Sequence, residues 1–303
     1  MNTMAMNNIP LLTPKARHFI GKVARSRPGD LPGMIYRRAI EAISKAPAGM
    51  GRTTFGEVVF DVDLTLHAIA RKYYFRTHEM VLERIFRDHL ETGRIFVDIG
   101  ANMGYWSAFC ANLVGRAGEV HAFEPAPPFF ASVERLARAN PGHRIVAKNM
   151  ALGAGEATLD MAVVAPRPEN FANFDTNIGS SSLLPGFLDH ARELVETISV
   201  PVTSFDSYVA RAGLDLDRVG LIKIDVEGFE SFVFDGMAET LGGGGRRIPI
   251  LCEVLSDPAR DPLLDGAAIV RRLQRLGYRC LDATTLAPVV PSAMAFEENI
   301  LCV

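Results

Sequence analysis

A short apolar segment that ends in an acid and continues into a glycine loop constrains this chain more than any other stretch. Ile95, Phe96 and Val97 precede Asp98, and a loop follows that begins at Gly100. Beyond that loop, apolar residues recur at helical spacing. A buried parallel strand that enters a helix through a glycine turn is the first unit of a doubly wound α/β sheet, whose ligands lie at the carboxyl ends of the strands. The sequence therefore predicts a small ligand held here by backbone.

The charges around this loop favour a cationic cofactor over a dinucleotide. The spacing from Gly100 to Gly104 departs from the G-x-G-x-x-G pattern of a pyrophosphate-binding turn. Asp98 would repel a pyrophosphate and attract an ammonium or sulfonium group. Glu124 ends the next predicted strand, where an acid accepts hydrogen bonds from ribose hydroxyls. S-adenosylmethionine (SAM), which carries both cations and no phosphate, is therefore predicted in preference to NAD.

Composition excludes several other classes. The chain has 303 residues, 48% of them hydrophobic and 22% charged, which is typical of a globular protein. A net charge of −3 argues against a nucleic-acid partner. No apolar run approaches the roughly 18 residues of a membrane span, and we find no signal peptide. The four cysteines are widely spaced, which predicts neither a zinc site nor a disulfide framework. We therefore expect a cytoplasmic protein with small buried cysteines.

The first part of the chain, residues 1–52, differs from the rest. It is rich in lysine and arginine, with only Asp30 and Glu41 as acids. Amphipathic helices are predicted over 16–26 and 32–44. We favour packing of this basic extension on its own domain or on a second subunit, as in a homo-oligomer, over contact with a membrane surface or an acidic partner.

From residue 53 to residue 303, strand and helix patterns alternate as in a single α/β domain. Residues 53–64 predict a small hairpin or an edge strand, and residues 77–91 predict a helix capped by Thr77. Further strands are predicted at 119–123, 144–150, 157–164, 197–203, 221–224, 248–254, 278–281 and 299–303, with helices at 127–140, 205–212 and 267–276. The segment 165–192 has no period and predicts a lid or substrate loop rather than a disordered surface loop.

With these motifs placed, the chain resembles the FkbM-type SAM-dependent methyltransferases over roughly residues 79–303. The matching elements, in order, are DIGANMG at 98–104, FEP at 123–125, NMALG at 149–153, GSSSL at 179–183, LIKIDVEGFE at 221–230 and NILCV at 299–303. The resemblance implies the class I methyltransferase fold, a Rossmann-like seven-stranded, mostly parallel sheet with an antiparallel last strand and helices on both faces. It also implies methyl transfer to a hydroxyl of a sugar, macrolide or other secondary metabolite.

The resemblance and the strand ends together predict the residues that contact the cofactor. In this interpretation Asp98 steers the methionine ammonium directly or through water, and Glu124 binds the ribose unless it is an exposed helix-cap acid. Asn149 borders the adenine or caps its own turn. The full predicted set is Glu79, Asp98, Gly100, Ala101, Asn102, Gly104, Tyr105, Ser107, Glu124, Pro125, Asn149, Met150, Ala151 and Asp225.

Methyl transfer is an in-line displacement in which alignment supplies most of the catalysis, but a hydroxyl acceptor must also lose a proton. Strand topology brings together Asp225, Glu227 and Glu253 as candidate bases. His78 and Glu79, on the preceding helix, are predicted to reach the same mouth. Two alternatives stay open: Glu227 as an acid in the first turn of a helix, and Glu253 as the partner of Lys223.

The three acids also raise the question of a metal ion, which we disfavour because no histidine accompanies them at ligand spacing. Asn177, Ser180 and Ser181 offer polar groups to a sugar-like acceptor, or they are turn residues. Three other functions are open besides O-methylation. They are N-methylation of an amino sugar or amine, a non-catalytic SAM-fold module that assembles a partner, and, as the weakest, an NAD oxidoreductase.

Overall fold

The computed structural model describes residues 33, 35–38, 41, 49–67, 69–164, 181–188, 195–242 and 247–303. The strands are β1 (Met50–Phe55), β2 (Val58–Asp63), β3 (Ile95–Ile99), β4 (Glu119–Phe123), β5 (Arg144–Lys148), β6 (Ala151–Leu152), β7 (Ala157–Val164), β8 (Ser181–Ser182), β9 (Val195–Thr203), β10 (Val219–Ile224), β11 (Ile250–Leu255), β12 (Cys280–Asp282) and β13 (Glu297–Cys302). The α-helices are α1 (Ala70–Tyr74), α2 (Glu83–His89), α3 (Tyr105–Val114), α4 (Pro127–Ala139), α5 (Phe205–Ala212), α6 (Glu230–Asp235), α7 (Ala238–Gly242) and α8 (Gly266–Arg275).

A seven-stranded sheet organises the molecule, in the order β12-β13-β11-β10-β3-β4-β5. Strands β11, β10, β3, β4 and β5 run parallel to one another, whereas β13 is antiparallel to both of its neighbours. The order changes direction between β3 and β10, which is where a doubly wound sheet opens a crevice for its ligand. This order, with its antiparallel last strand, is that of a class I methyltransferase and confirms the predicted fold class.

Side chains of the central strands alternate between two cores. On β3, Phe96 faces a core that contains Trp106 and Phe109 of α3, whereas Val97 and Ile99 face the opposite core. Because side chains on a strand alternate with period two, Asp98 points to the same face as Phe96. Both faces of the sheet are covered by apolar packing, which is why β3 and β4 are buried along their whole length.

The predicted helix over 77–91 begins later than expected. Glu79 has a φ of 35°, so the backbone turns left-handed there, and a 3-10 turn at Met80–Leu82 precedes α2. Thr77 does not cap the helix, because its hydroxyl donates to the carbonyl of Lys72 instead. His78 and Glu79 therefore lie in a turn and not on a helix, contrary to the prediction.

A similar correction applies after β10. Glu227, with a φ of 53°, and Gly228, with a φ of 95°, form a left-handed turn. The helix that these two residues were expected to open begins only at Glu230. The alternative of Glu227 as an acid in a first helical turn is thus wrong, and its carboxylate belongs to a loop at the carboxyl edge of the sheet.

A second, four-stranded sheet has the order β6-β9-β7-β8. Its main pair, β7 with β9, is antiparallel and joins strands that the sequence predicted individually. Strand β8 and residues 183–188 are the described part of the predicted lid, and Asn177 and Ser180 lie outside the described residues. So does the predicted helix over 16–26.

Of the basic extension, residues 35–38 are helical, and Arg37 forms an ion pair with Glu83. The four cysteines are free and buried, as predicted. Within the described ranges no helix combines the length and the apolar character that crossing a membrane requires.

Candidate active site

A cavity of about 1230 Å³ opens at the carboxyl edge of β3, β4, β10 and β11. It lies where the sheet order changes direction, as expected for the ligand site of this fold. Many of the predicted site residues line it. They are His78, Glu79, Gly100, Ala101, Asn102, Tyr105, Glu124, Pro125, Met150, Ala151, Ser181, Asp225, Glu227 and Glu253.

Two groups of residues line this cavity, and we call each of them a wall. We call residues 99–102, Tyr105, Glu124, Pro125, Met150 and Ala151, which follow β3, β4 and β5, the glycine-loop wall. We call Glu79, Asp225, Glu227, Glu253, Glu297 and Glu298 the acidic wall. The first wall comes from consecutive elements of the chain, whereas the second is assembled from segments far apart in sequence.

Four residues predicted to contact the cofactor do not line the cavity: Asp98, Gly104, Ser107 and Asn149. Gly104, with a φ of 85°, forms the turn that starts α3. Ser107 donates a hydrogen bond of 2.6 Å to Oδ2 of Asp98 behind the wall. Asn149 braces the end of β4 by donating to the carbonyls of Glu124 and Pro125. These residues support the wall instead of forming its surface.

The glycine loop packs directly on the end of β10. Gly100 has a φ of 81°, and a Cβ there would lie 1.8 Å from the carbonyl oxygen of Asp225. The amide of Asp225 in turn donates to the carbonyl of Ile99 at 3.0 Å. A residue with a side chain cannot occupy this position without displacing the backbone of Asp225. Gly100 therefore fixes the junction between the two walls.

Glu124 closes the glycine loop. Its Oε2 accepts from the amide of Asn102 at 2.8 Å, and its Oε1 accepts from the amide of Ala126 at 2.8 Å. Glu124 is buried and lines the cavity, so it is not the exposed cap acid of the alternative interpretation. Burial raises its pKa to about 7, although the two amide bonds oppose that shift. Each carboxylate oxygen keeps a further lone pair for a ligand hydroxyl.

Lys223 pairs with Asp225 and not with Glu253. Its Nζ lies 2.9 Å from Oδ2 of Asp225 and 3.9 Å from Oδ1 of Asp98. Asp98 thus sits beside a cation and behind the cavity surface, and its contact with the methionine ammonium, directly or through water, stays a prediction. Burial raises the pKa of Asp98, whereas Lys223 and the Ser107 hydroxyl lower it.

Three carboxylates of the acidic wall converge. Ligand atoms of Asp225, Glu227 and Glu253 all lie within 4.8 Å of one another, a spacing that one metal ion could bridge. Burial, followed by the charges of Asp225 and Glu79, raises the pKa of Glu253 well above its ordinary value. The expectation of a metal-independent site stays a prediction, because this geometry suits a cation as well as a proton.

Aromatic rings cover the cavity beside the acids. Tyr73 stacks on Tyr105 with a centroid distance of 4.9 Å, and His78 packs edge-on against both rings. His78 Nε2 lies 3.1 Å from Oε2 of Glu79, whose Oε1 accepts from the side-chain amide of Asn299 at 3.2 Å. His78 and Glu79 thus line the cavity, and they do so from a turn and not from a helix.

A sequence model described as the Methyltransferase FkbM domain matches residues 98–280, more than half of the chain. The chain belongs to the FkbM methyltransferase domain family. The resemblance identified in the sequence is thereby confirmed. The matched range contains all of the glycine-loop wall and, of the acidic wall, Asp225, Glu227 and Glu253.

Individual relatives of this FkbM domain are distant. It is 26% identical over 144 residues to "Methyltransferase 1" of Beauveria bassiana (strain ARSEF 2860), which covers 46% of this chain and 57% of that protein. The structure of an FkbM methyltransferase from Methylobacillus flagellatus KT is 12% identical and aligns with a TM-score of 0.41 over 78% of this chain and 54% of that one. A SAM-dependent methyltransferase from Aquifex aeolicus is 12% identical, with a TM-score of 0.38 over 79% and 90% of the two chains. Because both scores are low, the strand order alone supports the fold class.

Sequence reasoning missed several residues that shape this FkbM site. Lys223 was assigned to the wrong partner, and neither Tyr73 nor the backbone contact of Ser182 was foreseen. Ser182 donates from Oγ to the carbonyl of Glu227 at 2.7 Å and so links β8 to the acidic wall. For Lys223 a signal existed, since it precedes Asp225 by two positions and therefore shares its face of the strand. Tyr73 and Ser182 carry no such local signal.

Proposed function

We propose that this protein transfers a methyl group from SAM to a hydroxyl of a small molecule, such as a sugar, a glycan or a secondary metabolite. The observation that carries the proposal is the glycine-loop wall, a close-packed backbone loop closed by the buried carboxylate of Glu124. Such a wall offers closely packed backbone and a ribose acceptor, and none of its residues carries a positive charge for a phosphate. Membership of the FkbM family supports the same donor.

In this proposal the glycine-loop wall binds the donor. Glu124 accepts the ribose hydroxyls, Met150 and Ala151 border the adenine, and Asn102 and Tyr105 face the methionine part. When bound, SAM would supply the electrophilic methyl carbon. The chain itself would align the acceptor oxygen with that carbon, which accounts for most of the expected rate enhancement.

The acidic wall receives the acceptor. As the acceptor oxygen bonds to the methyl carbon and the carbon–sulfur bond breaks, the hydroxyl proton must pass to a base. Asp225, Glu227, Glu253 and His78 are the candidates, and all four line the cavity. Burial and the neighbouring negative charges raise the pKa of Glu253, so once ionised it accepts a proton more readily than an ordinary carboxylate.

Calorimetry with SAM tests the donor assignment. We expect the wild-type protein to bind SAM and Glu124→Ala to bind it at least about tenfold more weakly, because the variant loses one charge-assisted hydrogen bond to the ligand. Glu57→Ala, at a side chain that is 73% exposed, is the matched control and should leave binding unchanged. Absence of binding by the wild type, or equal binding by Glu124→Ala, would contradict the proposal.

A second candidate is N-methylation of an amine or amino sugar. Glu253 feels the charges of Asp225, Glu79, Glu227 and Glu297, and this concentration of negative charge favours an acceptor that carries an amine. Turnover of matched acceptors that differ in one amine or hydroxyl group distinguishes the two reactions. Preference for the amine member would replace the O-methylation proposal and leave the donor assignment intact.

A further inference from the structure

A buried lysine connects the two walls. Lys223 on β10 is the register partner of Asp98 on β3, so their side chains stand next to each other on one face of the sheet. Lys223 is only 6% exposed, although its ammonium reaches the cavity. Asp225 follows two positions later and points to the same face. The ammonium of Lys223 therefore lies between the carboxylate of Asp98, which is behind the cavity wall, and the carboxylate of Asp225, which is part of the wall.

The contacts of this triad are unequal. Lys223 Nζ lies 2.9 Å from Oδ2 of Asp225 but 3.9 Å from Oδ1 of Asp98, which is beyond hydrogen-bond distance. Oδ1 of Asp98 has no hydrogen-bond partner within the described part of the chain. The ion pairs found there for Asp98 and Asp225 both involve Lys223. Lys223 thus donates its hydrogen bond to Asp225, the carboxylate on the cavity wall.

The backbone of Asp225 is held from the other side. Its amide donates to Ile99, and its carbonyl lies against Gly100 so closely that no Cβ fits between them. With the backbone fixed by β3 and the glycine loop, the remaining freedom of Asp225 is rotation of its side chain. The hydrogen bond from Lys223 removes that freedom.

We propose that Lys223 is a positioning residue, which holds the carboxylate of Asp225 in one orientation at the junction of the glycine-loop wall and the acidic wall. This inference rests on the proposed function, because it assigns the pair to alignment of donor and acceptor. A buried ammonium is costly, and the two carboxylates outweigh that cost, so the pKa of Lys223 is raised and the side chain stays charged. Lys223 acts through Asp225 and not on the reacting atoms.

A double-mutant cycle tests the proposal. We expect Lys223→Met to lower kcat by about 100-fold through misalignment, and Lys223→Arg to restore part of the loss. In the Asp225→Asn background, Lys223→Met should change kcat little further, because the carboxylate that it orients is already absent. An equal loss of kcat in both backgrounds would overturn the proposal.

A second variant separates orientation from charge balance. If Lys223 only neutralises Asp98, the double variant Lys223→Met/Asp98→Asn should regain full activity, and that result would also overturn the proposal.

The melting temperatures of the Lys223 and Asp225 variants measure the coupling between the two side chains independently of catalysis. Should the wild type not turn over SAM, the proposed function fails, and the cycle on melting temperature then decides about Lys223: non-additive changes support the pair, and additive changes overturn it.

Discussion

The two walls of the cavity are built on different principles. In the glycine-loop wall, polar groups satisfy one another: both oxygens of Glu124 accept backbone amides, and the Asn102 side chain accepts from the amide of Met103. In the acidic wall, burial and the carboxylates crowded around Glu253 raise its pKa. The first wall is thus preorganised by internal bonds, whereas the second holds negative charge for a proton or a cation. We expect substitutions in the glycine-loop wall to impair function by distorting its backbone, and substitutions in the acidic wall to impair it by changing its charge.

The largest effect is expected at the junction of the walls. Gly100→Ala places a Cβ 1.8 Å from the carbonyl oxygen of Asp225 in a left-handed conformation. We expect a loss of about 3 kcal/mol or more of unfolding free energy together with loss of SAM binding. Gly155→Ala, where a Cβ meets nothing within 4 Å, is the matched control for thermal unfolding and calorimetry. Normal SAM affinity in Gly100→Ala would show that the loop is not a rigid part of the site.

The next effect tests the acidic wall by charge alone. Glu253→Gln keeps the size of the side chain and removes its ability to accept a proton. We expect kcat to fall by about 100-fold, the lower range for loss of a general base, while SAM affinity changes little. Steady-state kinetics and calorimetry measure the two quantities, with the exposed Glu57→Gln as control. A variant that loses SAM affinity but keeps kcat would reverse the roles of the two walls.

A smaller effect should appear as a pH dependence of donor binding. The pKa of Glu124 is about 7 in the free protein, and ligand hydroxyls that donate to its carboxylate favour the ionised form. Binding should therefore lower this pKa and release a proton. SAM affinity should therefore rise as the pH approaches about 7 from below, by at most about tenfold per pH unit, and level off above that value.

Calorimetry in buffers of different ionisation enthalpy measures this proton release. Glu124→Gln, which cannot ionise, should bind more weakly and show a flatter pH profile. If the variant keeps the full pH dependence, the proton belongs to another group, and the glycine-loop wall contributes no titrating carboxylate to donor binding.

The smallest effect concerns the link between β8 and the acidic wall. Ser182→Ala removes the hydrogen bond that Oγ donates to the carbonyl of Glu227 and the one that it accepts from the amide of Leu184, at a cost of about 1 kcal/mol for each. We expect a higher KM for the acceptor and an unchanged affinity for SAM. Ser199→Ala, which removes a bond to Asp160 in the same sheet, is the control. Equal changes in both variants would indicate a general loosening of that sheet.

Local patterns predicted the glycine-loop wall well, because every element of it follows directly from its own strand. The strand at 119–123 and the helix after Gly104 were found with their observed bounds or nearly so, since apolar periodicity and glycine turns act over a few residues. Side chains alternate along β3, so Asp98 lies on the same face as Phe96, which α3 covers, and therefore behind the wall. The sequence alone does not show which face α3 covers.

The acidic wall resisted prediction because its geometry depends on contacts between distant segments. The pairing of Lys223 with Asp98 requires the register of β10 on β3, and the turn at His78 and Glu79 depends on a left-handed residue that helical periodicity does not reveal. The register of β13 on β11 places Asn299 opposite Glu253, from where its amide reaches Glu79. Each of these relations joins residues far apart in the chain.

The place of β13 has a consequence for how the protein is assembled. This strand follows β12 in the chain but lies between β11 and β12 in the sheet. The part of the acidic wall that β13 contributes, Glu297 and Glu298, therefore depends on its insertion. Elements up to β5 can dock on one another early during synthesis, because their contacts are between neighbours along the chain. During synthesis we therefore expect the glycine-loop wall to form before the acidic wall, which needs β13 for Glu297 and Glu298.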